Sequence, residues 1–145
     1  MDVLTDPAFR AYALASSIVA PHLLALANWT GTMRVKRKQF VNPEDAKLSK
    51  VDAAAEADHP DVARVKRAHM NAVENALPFF VVGALYAATH PSQTGALAYF
   101  WTFTAARVLH SVFYLWGRQP FRSMAFAVGA LATLGMAIHV IRAVV

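Results

Sequence analysis

The run Arg64-Val65-Lys66-Arg67-Ala68-His69-Met70-Asn71-Ala72-Val73-Glu74-Asn75-Ala76-Leu77-Pro78-Phe79 concentrates charge and amide groups at the entrance to an apolar stretch. On a helix, Arg64, Arg67, Asn71 and Glu74 recur at three- and four-residue spacing and share one face. Arg67 is placed to neutralise Glu74 or to hold an anionic ligand, and Glu74 can accept a proton from an ammonium group. The same stripe also suits a structural network that cross-links helices without any ligand, because buried polar groups must be satisfied in either case. A metal site has less support: His69 and Glu74 stand five apart, and no second ligand pair has zinc-like spacing.

A second stripe follows at Arg107, His110 and Tyr114, again three and four residues apart. It aligns a cation, an imidazole and a phenol. A lone helical histidine is ordinarily structural, but two facing polar stripes point to a polar pocket. Arg122-Ser123 then opens the last apolar segment. A guanidinium and a hydroxyl at a helix N-terminus favour an anion, aided by unpaired backbone N–H groups. Taken alone, Arg122 reads as a loop charge that sets topology. The chain has no cysteine, so sulfur chemistry here requires a small-molecule thiol.

These groups must be positioned by apolar elements. Of 145 residues, 57% are hydrophobic and 16% charged, where soluble domains have about 45–50% and about 25%. Four apolar stretches approach the roughly 20 residues that span a bilayer. They run over about 9–33, 62–89, 93–116 and 121–145, with a polar loop over about 34–61. The expected fold is all-α, a single integral membrane four-helix bundle. His90-Pro91-Ser92 and Gly117 to Pro120 form the later breaks. Small residues such as Ala13, Ala15, Ser16, Ser17, Gly129, Ala130, Ala132 and Gly135 allow close helix approach.

The net charge of +5 is not spread as in a nucleic-acid binder, because nine of the fourteen Lys and Arg residues lie between Arg34 and Arg67. No nucleic-acid partner is expected. Arg118 and Arg122 add charge after the third span, and the turn between the second and third spans has none. The positive-inside rule therefore puts both basic loops in the cytoplasm and both chain ends on the far side. The acidic start (Asp2, Asp6) has no basic leader region, so no secretory signal is expected. Trp29, Trp101 and Trp116 suit interfacial anchoring, and Trp101 equally suits packing between helices.

The block from Arg67 to Phe79 resembles the signature of the MAPEG family, the membrane-associated proteins of eicosanoid and glutathione metabolism. Supporting blocks lie in order at Arg37 to Asp45, Ala106 to Leu115, and Pro120 to Ser123. The resemblance covers nearly the whole chain and is nearest to the glutathione transferase and prostaglandin E synthase branches. It implies a homotrimer of four-helix subunits in a bacterial inner membrane or the endoplasmic reticulum. Glutathione would sit between subunits near the cytoplasmic face, held by Arg34, Arg67, His69, Asn71, Glu74, His110, Tyr114, Arg122 and Ser123. Arg122 and Ser123 would lie at its sulfur, and Asp45 matches an acidic position assigned an assisting role in the synthase branch.

The implied activity is transfer of glutathione to lipophilic electrophiles, with peroxidase or isomerase chemistry as variants. Some positions depart from the pattern. Met70 stands where the synthase branch has a second basic residue, and Ala72 replaces the usual Asp. Phe126, Ala127 and Ala130 replace polar pocket residues, whereas Ser123 agrees with the synthase. A non-catalytic lipid-binding protein of the same family is the alternative reading. A channel or transporter has little support, since no broken-helix pair or repeat symmetry is present.

Overall fold

The computed structural model describes residues 3–51 and 54–145. Asp2, and Asp52 in the polar loop, lie outside the described residues. After a short 3-10 turn (Val3–Thr5) the chain forms α1 (Pro7–Arg37), α2 (Pro43–Leu48), α3 (Pro60–Ala88), α4 (Gln93–Trp116) and α5 (Phe121–Val144). Among the described residues there is no strand.

Local chemistry sets the ends. Asp6 caps α1, its Oδ1 accepting from the amides of Ala8 at 2.8 Å and Phe9 at 2.9 Å, with Pro7 at the first helical position. At the other end α1 runs a turn past Met33, because Arg34, Lys36 and Arg37 favour helix and complement its C-terminal dipole. The charges end the apolar run there but not the helix. Gly117 closes α4 at φ 67°, a left-handed conformation that costs glycine nothing. The loop holds one element that its polarity conceals: Pro43 followed by Glu44 and Asp45 is a helix start, and it begins α2.

The packing order explains the distribution of polarity. α3 and α4 pack together, each touching α1 and α5, while α1 and α5 share no contact among the described residues. The central pair therefore carries both polar stripes. Among the described residues two helices, the flanking α1 and α5, are long and apolar enough by length and composition to cross a membrane. Leu14, Leu24, Leu131, Leu134, Ile138 and Ile141 project outward from them. All four long helices have the length: at about 1.5 Å per residue, even the 24-residue α4 and α5 reach about 36 Å.

The half of the bundle away from the basic loop is closed by aromatic rings. Phe79 and Phe103 stack at 3.9 Å with an interplanar angle of 2°, and Phe100 meets Phe79 edge-on at 6.1 Å. Tyr12 of α1 packs on Phe100 and donates its hydroxyl to the Phe80 carbonyl at 3.0 Å. Gly83 permits this approach, since a Cβ there would lie 3.1 Å from the Tyr12 ring and 3.2 Å from Phe100.

The opposite end is fastened by charge. Asp58 accepts from Arg34 at 3.1 Å and from Lys66 at 3.2 Å, tying the loop to α1 and α3, and Arg37 pairs with Asp61. Burial pushes the Asp58 carboxyl up, but the two cationic donors outweigh it and hold it below the ordinary value of 3.8. A depressed carboxyl contributes stability above its unfolded value and loses it as pH falls through the folded one. Hydrogen exchange in residues 54–59 should therefore accelerate below pH 3.8. Asp58→Asn should show the faster exchange already at neutral pH. Equal exchange in the two proteins at neutral pH would refute this fastening.

Candidate functional site

The two polar stripes meet between α3 and α4. Arg107, only 2% exposed, donates from Nη2 to Asn71 Oδ1 at 2.6 Å and to the Asn71 carbonyl at 3.3 Å. The same nitrogen lies 3.4 Å from Nδ1 of the buried His110. Room for the guanidinium comes from α5: a Cβ on Gly129 would sit 3.2 Å from Arg107 Cδ, and the Phe126 ring covers the cation at 5.8 Å. Arg107 Nε and Nη1 are buried without a partner among the described residues. The neighbouring Ala72 supplies no carboxylate to meet them.

This contact orients Asn71. With its side-chain oxygen taken by Arg107, its amide nitrogen is left to donate toward a cleft of about 230 Å3. The cleft is lined by Asn71, His110, Tyr114, Arg122, Ser123 and Phe126. The Arg122 guanidinium stacks on the Tyr114 ring at 4.7 Å, and His110 meets Tyr114 at 5.7 Å. Gln119 steadies the N-terminus of α5. With its amide turned to satisfy both neighbours, its oxygen accepts from Arg122 at 2.6 and 3.2 Å and its nitrogen donates to Ser123 Oγ at 3.0 Å. The same Gln119 oxygen lies 3.3 Å from Ser123 Oγ, so the hydroxyl can donate either to Gln119 or to a group in the cleft.

The lining offers donors and a cation, and no carboxylate. Such a surface suits an anion or a polarised sulfur. The backbone contributes less than the sequence suggests, because the Arg122 amide already donates to the Arg118 carbonyl at 3.1 Å. Among the described residues no group of His, Asp and Glu is placed to hold a metal ion.

Five of the residues singled out in the sequence, Asn71, His110, Tyr114, Arg122 and Ser123, thus line one cleft. Arg34, Arg67, His69, Glu74 and Asp45 do not. Arg34 is engaged with Asp58, and Asp45 on α2 accepts from Asn42 at 3.0 Å. Arg67 and Glu74 are exposed on the outer side of α3, and no ion pair joins them among the described residues. His69 is half-buried on the same helix.

Sequence reasoning missed three participants. His22 of α1 bonds Ser111 Oγ at 2.9 Å, and Ser111 donates to the Arg107 carbonyl at 3.2 Å, so α1 joins the buried network. A histidine within an apolar span was itself the signal. Asp58 gave none, since its partners come together only on folding, whereas Gln119 stands three and four residues before Arg122 and Ser123, a spacing that could have found it.

The profile of the MAPEG family matches residues 12–142. The chain belongs to the MAPEG family. It is 35% identical over 144 residues to human microsomal glutathione S-transferase 1, covering 97% of this chain and 93% of that one. The rat protein of the same name is 39% identical, over 93% and 88% of the two chains. Human prostaglandin E synthase is 34% identical over 96% and 91%. This MAPEG chain is therefore related across almost its full length to both kinds of enzyme.

The orphaned Arg107 nitrogens lead to a stability prediction. A buried donor without an acceptor costs about 1–3 kcal/mol, and replacing buried charge by a well-packed apolar side chain is often neutral or stabilising. Arg107→Met should leave the thermal unfolding midpoint unchanged or raise it, even though Asn71 loses its donor. A steep fall in the midpoint would show instead that the guanidinium holds the fold together.

Proposed function

We propose that this MAPEG chain is a membrane-bound glutathione transferase that stabilises the glutathione thiolate with Arg122 and Ser123 and directs it at lipophilic electrophiles. The observation that carries the reading is the convergence of Asn71, His110, Tyr114, Arg122 and Ser123 on one donor-rich cleft. The relationship to a glutathione S-transferase and a prostaglandin E synthase supports glutathione as the co-substrate.

The chemistry required is modest. A free thiol has a pKa of about 8.5, so only a few per cent is ionised at neutral pH. Lowering it by about 1–2 units takes about 1.4–2.7 kcal/mol of preferential thiolate stabilisation. A guanidinium in a partly dehydrated cleft, with one hydroxyl donor, supplies that amount. The thiol proton leaves to solvent, and the sulfur lone pair attacks the electrophilic carbon as its leaving group departs. Asn71, with its nitrogen aimed by Arg107, holds a carbonyl or carboxylate of the tripeptide. Asp45 assists from the loop.

The full site is larger than one subunit. Ligand pockets commonly run to about 300–1,000 Å3, and this cleft is open along one side at about 230 Å3. In this reading four spans cross the bilayer and three copies assemble, with the basic loops in the cytoplasm. Arg34, Arg67, His69 and Glu74 complete the glutathione site across the subunit boundary. The exposure of Arg67 and Glu74, which have no ion-pair partner among the described residues, supports that arrangement. Binding beside lipid-facing helices suits substrates that dissolve in the membrane.

Adding glutathione to the purified protein should raise the ultraviolet absorbance of thiolate. Arg122→Ala should abolish that rise and slow conjugation of an aryl halide by about tenfold or more, the rate equivalent of about 1.4 kcal/mol. Ser123→Ala should slow it several-fold. Arg107→Met should weaken glutathione binding by releasing Asn71. If Arg122→Ala and Ser123→Ala change neither signal, the thiolate is held elsewhere. If calorimetry detects no glutathione binding at all, a lipid-presenting role replaces the transferase.

A further inference from the structure

A second cleft, of about 200 Å3, opens at the basic end of the bundle between α1, α3 and α4. None of the residues lining it lines the first cleft. Its apolar walls are Trp29 and Met33 from α1 with Leu115 and Trp116 from α4, and its polar side is Asp61 and Arg64 from α3. The two indoles are 48% and 70% exposed, which leaves large amphipathic rings uncovered around a cavity.

The charges in this cleft are unequal. Asp61 is already paired with Arg37. Arg64 has no carboxylate partner among the described residues. It reaches across to the C-terminus of α4, where a Cβ on Gly117 would lie 3.4 Å from its Nη1. Lys36 and Lys38, with no carboxylate partner among the described residues, stand on the same end of α1. The cleft therefore combines an unpaired guanidinium, a surplus of positive charge and two indoles at the level where the chain leaves the apolar span.

We propose that this cleft binds the head group of an anionic phospholipid. The phosphate meets Arg64 in a charge-assisted contact, and the glycerol and first acyl carbons lie between Trp29 and Trp116. Guanidinium groups match phosphate oxygens in geometry and charge. Indoles settle at the boundary between head groups and hydrocarbon. Basic pockets between membrane helices on the cytoplasmic side are suited to anionic head groups. A zwitterionic lipid brings a second cation beside Arg64 and Arg37 and so gains less. The inference rests on the membrane placement proposed above and uses none of the glutathione residues.

The test uses the full chain in detergent and its thermal midpoint. Short-chain phosphatidylglycerol should raise the midpoint by several degrees, whereas short-chain phosphatidylcholine and glycerol phosphate should not. Arg64→Gln should lose that rise, Arg64→Lys should keep part of it, and Trp116→Ala should reduce it. An equal rise in Arg64→Gln overturns the proposal, and so does an equal rise with phosphatidylcholine. A full rise from glycerol phosphate alone also overturns it, since the cleft then takes a free anion. A phosphatidylglycerol response that survives in a protein failing to bind glutathione still supports the lipid site.

Discussion

Arg107 lies between three helices with 2% of its surface exposed, two bonds to Asn71 and no carboxylate partner among the described residues. Much of the surrounding sequence follows from accommodating it. Gly129 on α5 leaves space for the aliphatic stem, Phe126 covers the guanidinium face, and Ser111 ties the same turn of α4 to His22 on α1. Two buried nitrogens remain unmatched, at a cost of about 1–3 kcal/mol for each orphaned group. That cost is offset by the aromatic layer farther along the bundle, where Phe79, Phe100, Phe103, Tyr12 and Tyr86 pack ring against ring. The bundle thus joins a rigid apolar half to a polar half held under electrostatic constraint. The constraint fixes which end of the Asn71 amide reaches the cleft.

The surrounding solvent decides how these halves are covered. α1 and α5, on opposite sides of the α3–α4 pair, present apolar side chains outward as well as inward. In water such surfaces are a liability; in hydrocarbon they are neutral. The polar pair is then shielded from lipid on two sides, while the cleft opens beside Phe126, itself 40% exposed. In the proposed reaction the lipophilic molecule would approach along that face and the water-soluble thiol would enter from the basic end. One geometry serves both partners of the proposed reaction.

The long helices were legible because their signals are local: apolar length, Pro and Gly breaks, and the clustering of Lys and Arg. Periodicity alone placed Arg107, His110 and Tyr114 on one stripe and Asn71 on another, and Arg107 does reach Asn71. Periodicity could not tell which stripe members turn inward. Arg67 and Glu74 share the sequence spacing of Asn71, yet they face outward, because a helix stripe is wider than the contact between two helices. The short α2 was hidden by its polar composition, although Pro43, Glu44 and Asp45 spell a helix start. Asp58 lay beyond any reading of spacing, since its partners on α1 and α3 become neighbours only on folding, whereas Gln119 stands at helical spacing from Arg122 and Ser123 and was open to such a reading.

The central claim is that the cleft holds glutathione as its thiolate. The most direct measurement is the number of protons released when glutathione binds, obtained by calorimetry at neutral pH in buffers of different ionisation enthalpy. Because a free thiol with a pKa of about 8.5 is almost fully protonated there, binding as thiolate should release close to one proton per molecule bound. S-methylglutathione, which has no thiol proton, should bind without release. Glutathione binding with no release, or equal release from the two ligands, would contradict the claim.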